Sequence, residues 1–112
     1  MSSTEIFVST TQEIPARKII KHFVLARGGT VRAKHIGTDF LAGIKSSTIG
    51  GEIKGYTKLL ADAREEAIVR MKKDAQQMGA NSIVGMNFST SVLDSGMAEM
   101  CAFGTAVLTE AD

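Results

Sequence analysis

The chain has 112 residues, of which 44% are hydrophobic and 22% charged, and its 13 basic and 12 acidic side chains nearly cancel. This length and composition indicate one globular domain over residues 1–112 rather than a disordered chain. Because the charges nearly cancel, the overall charge of the chain does not indicate any particular class of partner.

Neither a targeting signal nor a membrane span is evident in the sequence. The first ten residues, MSSTEIFVST, have no basic region and no long apolar run, so they do not resemble a secretory signal. Elsewhere, no apolar run approaches the roughly 20 residues that cross a bilayer. The single cysteine, Cys101, cannot form an intrachain disulfide,. We therefore expect a soluble cytoplasmic protein with no membrane partner.

The region before the middle of the chain predicts extended structure with one ambiguous segment. Residues 6–10, IFVST, are rich in β-branched side chains and indicate a short strand,. Residues 16–26 lie between Pro15 and a pair of glycines, which suits a helix, yet their apolar content suits a buried strand equally well. Gly28-Gly29 predicts a turn into a further strand over residues 30–33.

The middle of the chain predicts one long amphipathic helix over residues 56–78. Charged side chains occupy one side, and Glu66 and Arg70 form a favourable i,i+4 pair there. Gly79 stands where a helix commonly ends. The apolar side chains recur at helical spacing on the other side: Tyr56, Leu59, Leu60, Ala63, Ala67, Ile68, Met71, Ala75 and Met78.

The last third predicts a β-hairpin. Residues 82–93 alternate in strand rhythm, with Val84, Met86 and Phe88 expected on one face,. Residues 94–96, Asp-Ser-Gly, form a compact turn signal, and residues 97–109 return as the second arm.

The final strand has no ordinary solvated face. One face carries only small or apolar side chains, and on the other, which includes Cys101 and Phe103, only Glu99 is charged. A sheet with one wet face carries more polar residues than this. Since one helix covers only one face, we expect a second copy of the chain to cover the other, which predicts a homo-oligomer.

Several short segments together resemble the YbjQ-like family, whose members are small proteins often described as heavy-metal-binding and mostly of unknown function. The similarity spans about residues 6 to 108, and the segments that carry it are Ser9-Thr10-Thr11, Asp39 to Ile44, Gly50-Gly51, Gly55-Tyr56, Ala63 to Ala67, Gly79-Ala80-Asn81, Ile83-Val84-Gly85 and Phe103 to Val107.

This resemblance implies an α+β fold of the β-α-β-β type, similar to dodecin subunits, with one long helix on an antiparallel sheet. It also implies a pentameric ring and places residues 17–33 mostly in extended structure. Two positions depart from the family pattern. Glu52 stands where an arginine is usual, and Pro15-Ala16 stands where a glycine is usual.

The candidate metal ligand is Cys101, which lies near Met97 and Met100. On a helix these three sulfurs would converge and could hold a soft ion. On a strand, Met97 and Cys101 share a face while Met100 points away, so a three-sulfur site within one chain fails. Copies of Cys101 brought together by a ring remain a candidate metal site, and ordinary packing is the alternative.

Other motifs give weaker indications. Residues 17–34 are basic and contain no Asp or Glu, which suits an anion, but only Phe23 interleaves them, so nucleic acid is not favoured. The glycines around Gly51 and Gly55 lack the lysine of a phosphate-binding loop. His22 and His35 are isolated, and no nucleophile lies at a catalytic spacing from a base.

The sequence thus predicts a non-enzymatic binding module that forms a homo-oligomer, with a soft or heavy metal ion as the candidate ligand and Cys101 as the candidate site. One alternative is a structural or protein-interaction ring with no small ligand. The other is anion or nucleic-acid binding through residues 17–34. No cofactor is indicated.

Overall fold

A computed structural model describes residues 5–32, 54–93 and 97–112 of the chain. Within these residues, one helix packs on a four-stranded sheet, which confirms the predicted α+β class. The elements are β1 (Phe7–Val8), β2 (Arg17–Arg32), α1 (Lys54–Met78), β3 (Ser82–Leu93) and β4 (Met97–Ala111). The predicted turn at residues 94–96 lies outside the described residues, but β3 and β4 pair antiparallel as predicted for a hairpin.

The sheet is mixed, which corrects the expectation of an antiparallel sheet. Its strand order is β1-β3-β4-β2, and β1 runs parallel to β3 with Phe7 opposite Ser82. The N–H of Phe7 donates to the Asn81 carbonyl and that of Ser9 donates to the Ile83 carbonyl. A strand of only two residues shows no periodic pattern, so its direction could not be predicted from the sequence.

The helix connects two strands that are not neighbours. β4 pairs antiparallel with both β2 and β3, so β2 and β3 run parallel with β4 between them. Two parallel strands of one sheet require a long crossover connection, and α1 lies in the connection between β2 and β3. α1 therefore lies on one face of the sheet, mainly over β2 and to a lesser extent over β4.

β2 is one strand of 16 residues that runs through Gly28-Gly29. This resolves the ambiguous segment in favour of the strand that the family resemblance implied, and it shows that the predicted turn at the glycines is wrong. A Cβ on Gly28 would lie 2.3 Å from the Met71 backbone nitrogen and 2.4 Å from the Ala67 carbonyl oxygen. Gly28 is needed because the backbones of β2 and α1 come into direct contact there.

The core lies between α1 and the sheet and is built largely from small side chains. Met71 and Ile83 are its largest fully buried members. Leu60, Ile68 and Met78 pack against it, which confirms most of the predicted apolar helix face. The buried alanines in the described residues are Ala63, Ala67 and Ala75 on α1, Ala80 just after it, and Ala26, Ala102 and Ala106 on the sheet.

The end of α1 is a Schellman motif. The N–H of Gly79 donates to the Gln76 carbonyl (3.0 Å) and that of Ala80 donates to the Ala75 carbonyl (3.1 Å),. Gly79 has a φ of +96°, a left-handed conformation that glycine adopts without a steric penalty. The predicted helix stop is confirmed.

A second left-handed residue precedes β2. The N–H of Arg17 donates to the Ile14 carbonyl across Pro15-Ala16, and Ala16 has a φ of +63°. These are features of a type II turn, whose third position favours glycine. The departure from the family pattern at Pro15-Ala16 therefore places an alanine in a strained position.

Two charged side chains of α1 bond the backbone of β2, which is an edge strand. Asp74 Oδ2 accepts from the backbone N–H of Arg27 (3.0 Å), and Arg70 donates to the carbonyl of Gly29 (2.6 Å). Arg70 also pairs with Glu66 at 2.6 Å, which confirms the predicted i,i+4 pair. The helix is thus bonded to the outer edge of the sheet as well as packed on its face.

β3 contains a bulge that changes its faces. The register with β4 shifts between Val84 and Asn87, and Gly85 has a φ of +63°. As a result Met86 joins Ile83 in the core under α1, whereas Val84 packs with Ile14 and Val107 on the opposite face. The predicted alternation, with Val84 and Met86 on one face, is wrong because the extra residue reverses the phase.

Within the described ranges, no helix combines the length and apolar character that crossing a bilayer requires.

Gly28→Ala should lower the free energy of unfolding by about 3 kcal/mol, because the new methyl group meets backbone atoms of α1 that cannot rotate away. Gly29→Ala is the matched control. Its nearest contact is the Met100 carbonyl oxygen at 3.8 Å, so it should be neutral or slightly stabilising. Urea denaturation of both variants measures the difference, and equal stabilities would contradict the close contact of α1 with β2.

Ala16→Gly should raise the free energy of unfolding by about 0.5–1 kcal/mol. The change removes the strain of a left-handed alanine in the folded chain, and this gain exceeds the loss from making the unfolded chain more flexible. Gly79→Ala should lower it by a similar amount. No steric clash complicates that reverse change, because the nearest atom to an added Cβ is Phe23 Cζ at 4.0 Å. Thermal denaturation of the two variants should show melting temperatures that move in opposite directions.

Candidate functional site

The sheet face opposite α1, called the outer face below, carries the predicted metal ligand. Met100 and Ala102 point into the core under α1, so the residues between and beside them on β4 point the other way. Cross-strand partners share a face,. The outer face therefore includes Leu25, Arg27, Asn87, Ser89, Ser91, Cys101, Phe103 and Thr105.

Cys101 is a free, half-buried thiol near the middle of the outer face. Its cross-strand neighbours are Gly29 on β2 and Ser89 on β3. Gly29 has no side chain and Ser89 is exposed and short, so neither covers the sulfur. Among the described residues, its one polar contact is a weak one to the Ala102 carbonyl at 3.7 Å. Cys101 therefore faces away from the core of its own chain.

Met100 lies on the opposite face of the same strand. It is 6% exposed, and the Thr90 hydroxyl donates to its sulfur (3.1 Å). Met97 is on β4, but its side chain lies outside the described part. The separation of Met100 from Cys101 confirms the prediction that strand geometry puts these two sulfurs on opposite faces, so the pair does not form one site.

A complete metal site is not found in the described residues: no three His, Cys, Asp or Glu side chains there come together around a common point. One thiolate offers a soft ligand suited to Cu(I), Zn(II) or Cd(II), but a closed site takes three or four ligands. Cys101 could therefore complete a site only with ligands from outside the described part of one chain.

The basic residues of 17–34 are distributed over different environments. Lys18 lies 3.9 Å from Glu110, and Lys21 lies over the ring of Phe23 at 4.9 Å. Arg27 is exposed. Lys34 and the side chain of Arg32 lie outside the described residues. Among the described basic residues, Arg17 and Arg27 lie on the outer face of β2, whereas Lys18 and Lys21 lie on the other, so these four do not form one basic surface.

Most of the remaining sequence candidates lie outside the described residues, and the described ones are not part of a site. His22 is exposed, and His35, Gly51 and Glu52 lie outside the described residues. Gly55 lies in the first turn of α1. Its position agrees with a glycine that begins the helix rather than with a phosphate-binding loop.

A buried polar network, which sequence reasoning missed, joins the ends of β2, β3 and β4. Thr109 is 3% exposed and Ser82 is fully buried, and their hydroxyl oxygens are 2.8 Å apart. Asn81 accepts from the N–H of Thr109 (2.8 Å) and donates to its carbonyl (2.9 Å). The sequence gives only a faint signal of this network: Asn81 and Ser82 are two polar residues just after the helix stop, and Thr109 is a polar residue in an apolar strand.

Arg17 extends this network to the surface. Its Nε–H donates to Thr109 Oγ1 (2.8 Å), a terminal N–H donates to the Thr109 carbonyl (3.1 Å), and its Cζ lies 4.3 Å from the centre of the Phe7 ring. The side chain is thus fixed by two hydrogen bonds and a cation–π contact. It also lines an open pocket of about 370 Å³, whose other lining residues are Glu13, Ile14, Lys18, Ile19 and Asp112.

Comparison with known proteins places the chain among proteins of unknown function. Residues 6–110 match the YbjQ family model, which is described as "Putative heavy-metal-binding". A "UPF0145 protein" of Hahella chejuensis is 47% identical over 105 residues, covering 94% of this chain and all of that protein. One from Pyrococcus horikoshii is 50% identical over 105 residues, covering 94% of this chain and 89% of that protein.

A solved structure has the same fold at low sequence identity. It is a crystal structure of a protein of unknown function, assigned to the DUF74 family, from Pediococcus pentosaceus. Its TM-score is 0.59 at 17% identity, and the match covers 94% of this chain and 98% of that one. At this identity the likeness concerns the fold alone.

Thr109→Val should lower the free energy of unfolding by about 2 kcal/mol, because it keeps the shape but removes the hydroxyl that Arg17 and Ser82 share. Thr105→Val is the control on the same strand. Thr105 lies on the outer face with no side-chain hydrogen bond in the described structure, and its replacement should change stability by less than about 0.5 kcal/mol. Equal effects in chemical denaturation would show that the network adds nothing to stability.

Proposed function

This chain belongs to the YbjQ family, and from that premise we propose that it is a non-enzymatic, oligomeric binding module that holds a soft metal ion through Cys101 residues of several copies. The observation that carries the proposal is the position of Cys101 on the outer face, between Gly29 and Ser89. A thiol that only filled space in the core would point towards α1, as Met100 does.

The surroundings of Cys101 suit a ligand that more than one chain supplies. A soft ion prefers thiolate sulfur, and one chain offers one. Because Gly29 has no side chain, another chain could approach the sulfur from that side without a steric obstacle. A reducing cytoplasm, where we place the protein, would keep the unpaired thiol available.

The dimensions of the sheet support assembly. The 16 residues of β2 span about 53 Å at strand rise,, whereas the 25 residues of α1 span about 38 Å,. The helix is too short to cover even the inner face along its whole length. On the outer face Leu25 is 51% exposed and Phe103 is half-buried. Burying them against neighbouring copies in a ring, which the family resemblance suggests is pentameric, would be favourable.

The structural-ring alternative uses the same interface with no metal, so it differs only in the role of the thiol. Anion or nucleic-acid binding through residues 17–34 receives less support. Lys18 and Lys21 have partners within the chain, and the basic residues that the structure describes in this run do not form one surface.

Metal binding predicts a stoichiometry that native mass spectrometry can measure. With Cd(II) or Cu(I) added, the oligomer should retain fewer ions than it has chains, because several Cys101 thiolates share each ion. Cys101→Ser should keep the oligomer and lose at least about 90% of the retained metal, since a hydroxyl is a poor ligand for soft ions.

Ser89→Ala is the matched control, because it changes the neighbouring side chain of the same face and leaves the thiol. It should retain metal as the unchanged protein does. If no ion is retained at all, the structural ring remains as the function. A clean monomer in light scattering at micromolar concentration would contradict the assembly itself.

A further inference from the structure

The pocket beside Arg17 has the features of a small-molecule site that the proposed metal function does not use. Its central side chain is already held in place. Arg17 is joined to Thr109 at two points and lies against Phe7, and Thr109 in turn is bonded to Ser82 and Asn81. A ligand would therefore meet a guanidinium whose conformational entropy has already been lost on folding.

The charge of Arg17 is not neutralised by any carboxylate in the described chain. Both of its hydrogen bonds go to uncharged oxygens of Thr109, and it makes no ion pair with the described acidic residues. A guanidinium has five N–H donors, and the two used here leave the others available to an incoming anion.

The pocket also contains the opposite charge and an apolar surface. Glu13 and Asp112 line it, and neither lies within ion-pair distance of Arg17. The N–H of Asp112 donates to the Ala16 carbonyl (3.1 Å), which holds that residue beside the type II turn. Ile14 and Ile19, which pack with Val84 and Val107, supply the apolar part.

From this arrangement we propose that the pocket binds a small zwitterion with an aliphatic side chain, such as an aliphatic α-amino acid. The ligand carboxylate would pair with Arg17, a guanidinium being well matched to a carboxylate's two oxygens. The ligand ammonium would pair with Glu13 and Asp112, and the aliphatic group would contact the isoleucines. The volume of about 370 Å³ corresponds to on the order of ten water molecules, which is enough for a ligand of this size.

The test compares three matched probes by NMR titration of the full chain. L-leucine has both charges, 4-methylpentanoate lacks the ammonium, and 3-methylbutylamine lacks the carboxylate. Leucine should cause saturable shifts at the backbone amides of Thr109 and Asp112 and at the Nε–H of Arg17. Each analogue should bind at least about tenfold more weakly, because one charge of the pocket is left without a partner.

Substitutions separate the two ends of the pocket without touching the network. Glu13→Gln combined with Asp112→Asn should weaken leucine at least about fivefold and should not weaken 4-methylpentanoate, because only the ammonium contact is lost. Glu65→Gln, the same change at an exposed position of α1, should alter neither. The proposal is overturned if leucine gives no saturable shift up to about 10 mM, or if all three probes bind alike. Neither outcome depends on Cys101 or on metal.

Discussion

The close contact between α1 and β2 at Gly28 is the constraint on which the rest of the fold depends. Two backbones meet there, so only glycine fits on the strand and small side chains must line the neighbouring positions. The buried alanines of α1 and the sheet satisfy this requirement. Such a core buries less apolar area than one of leucines and phenylalanines. Its stability therefore depends more on tight packing and on polar contacts, including those of Arg70 and Asp74 with the strand.

The elements with strong periodicity could be predicted from the sequence, and those defined by contacts between distant segments could not. The apolar stripe of α1, its stop at Gly79 and the two arms of the hairpin were all evident locally. The role of Gly28 could not be predicted, because glycine is required there by contact with the backbone of Met71, 43 positions further along the chain. β1 is so short that only its pairing with Ser82 and Ile83 gives it a direction.

The same distinction applies to the sites. The placement of Cys101 and Met100 on opposite faces followed from simple alternation along β4, but which of the two faces α1 covers did not. The network around Thr109 was invisible because Arg17 and Thr109 are 92 positions apart, and neither residue belongs to a spacing that suggests chemistry. Bulges add a further limit: Gly85 reverses the phase of β3, so the sequence pattern after it assigns residues to the wrong face unless the bulge is known.

The bonds from Asp74 and Arg70 to β2 have a consequence for the way this protein meets other chains. An edge strand with unpaired N–H and C=O groups is a template on which foreign strands add and aggregates grow. At Arg27 and Gly29 those groups are already occupied by the helix. Foreign strands therefore cannot add along this part of the edge. The two helix side chains block it, so neither a proline nor a covering loop is needed there.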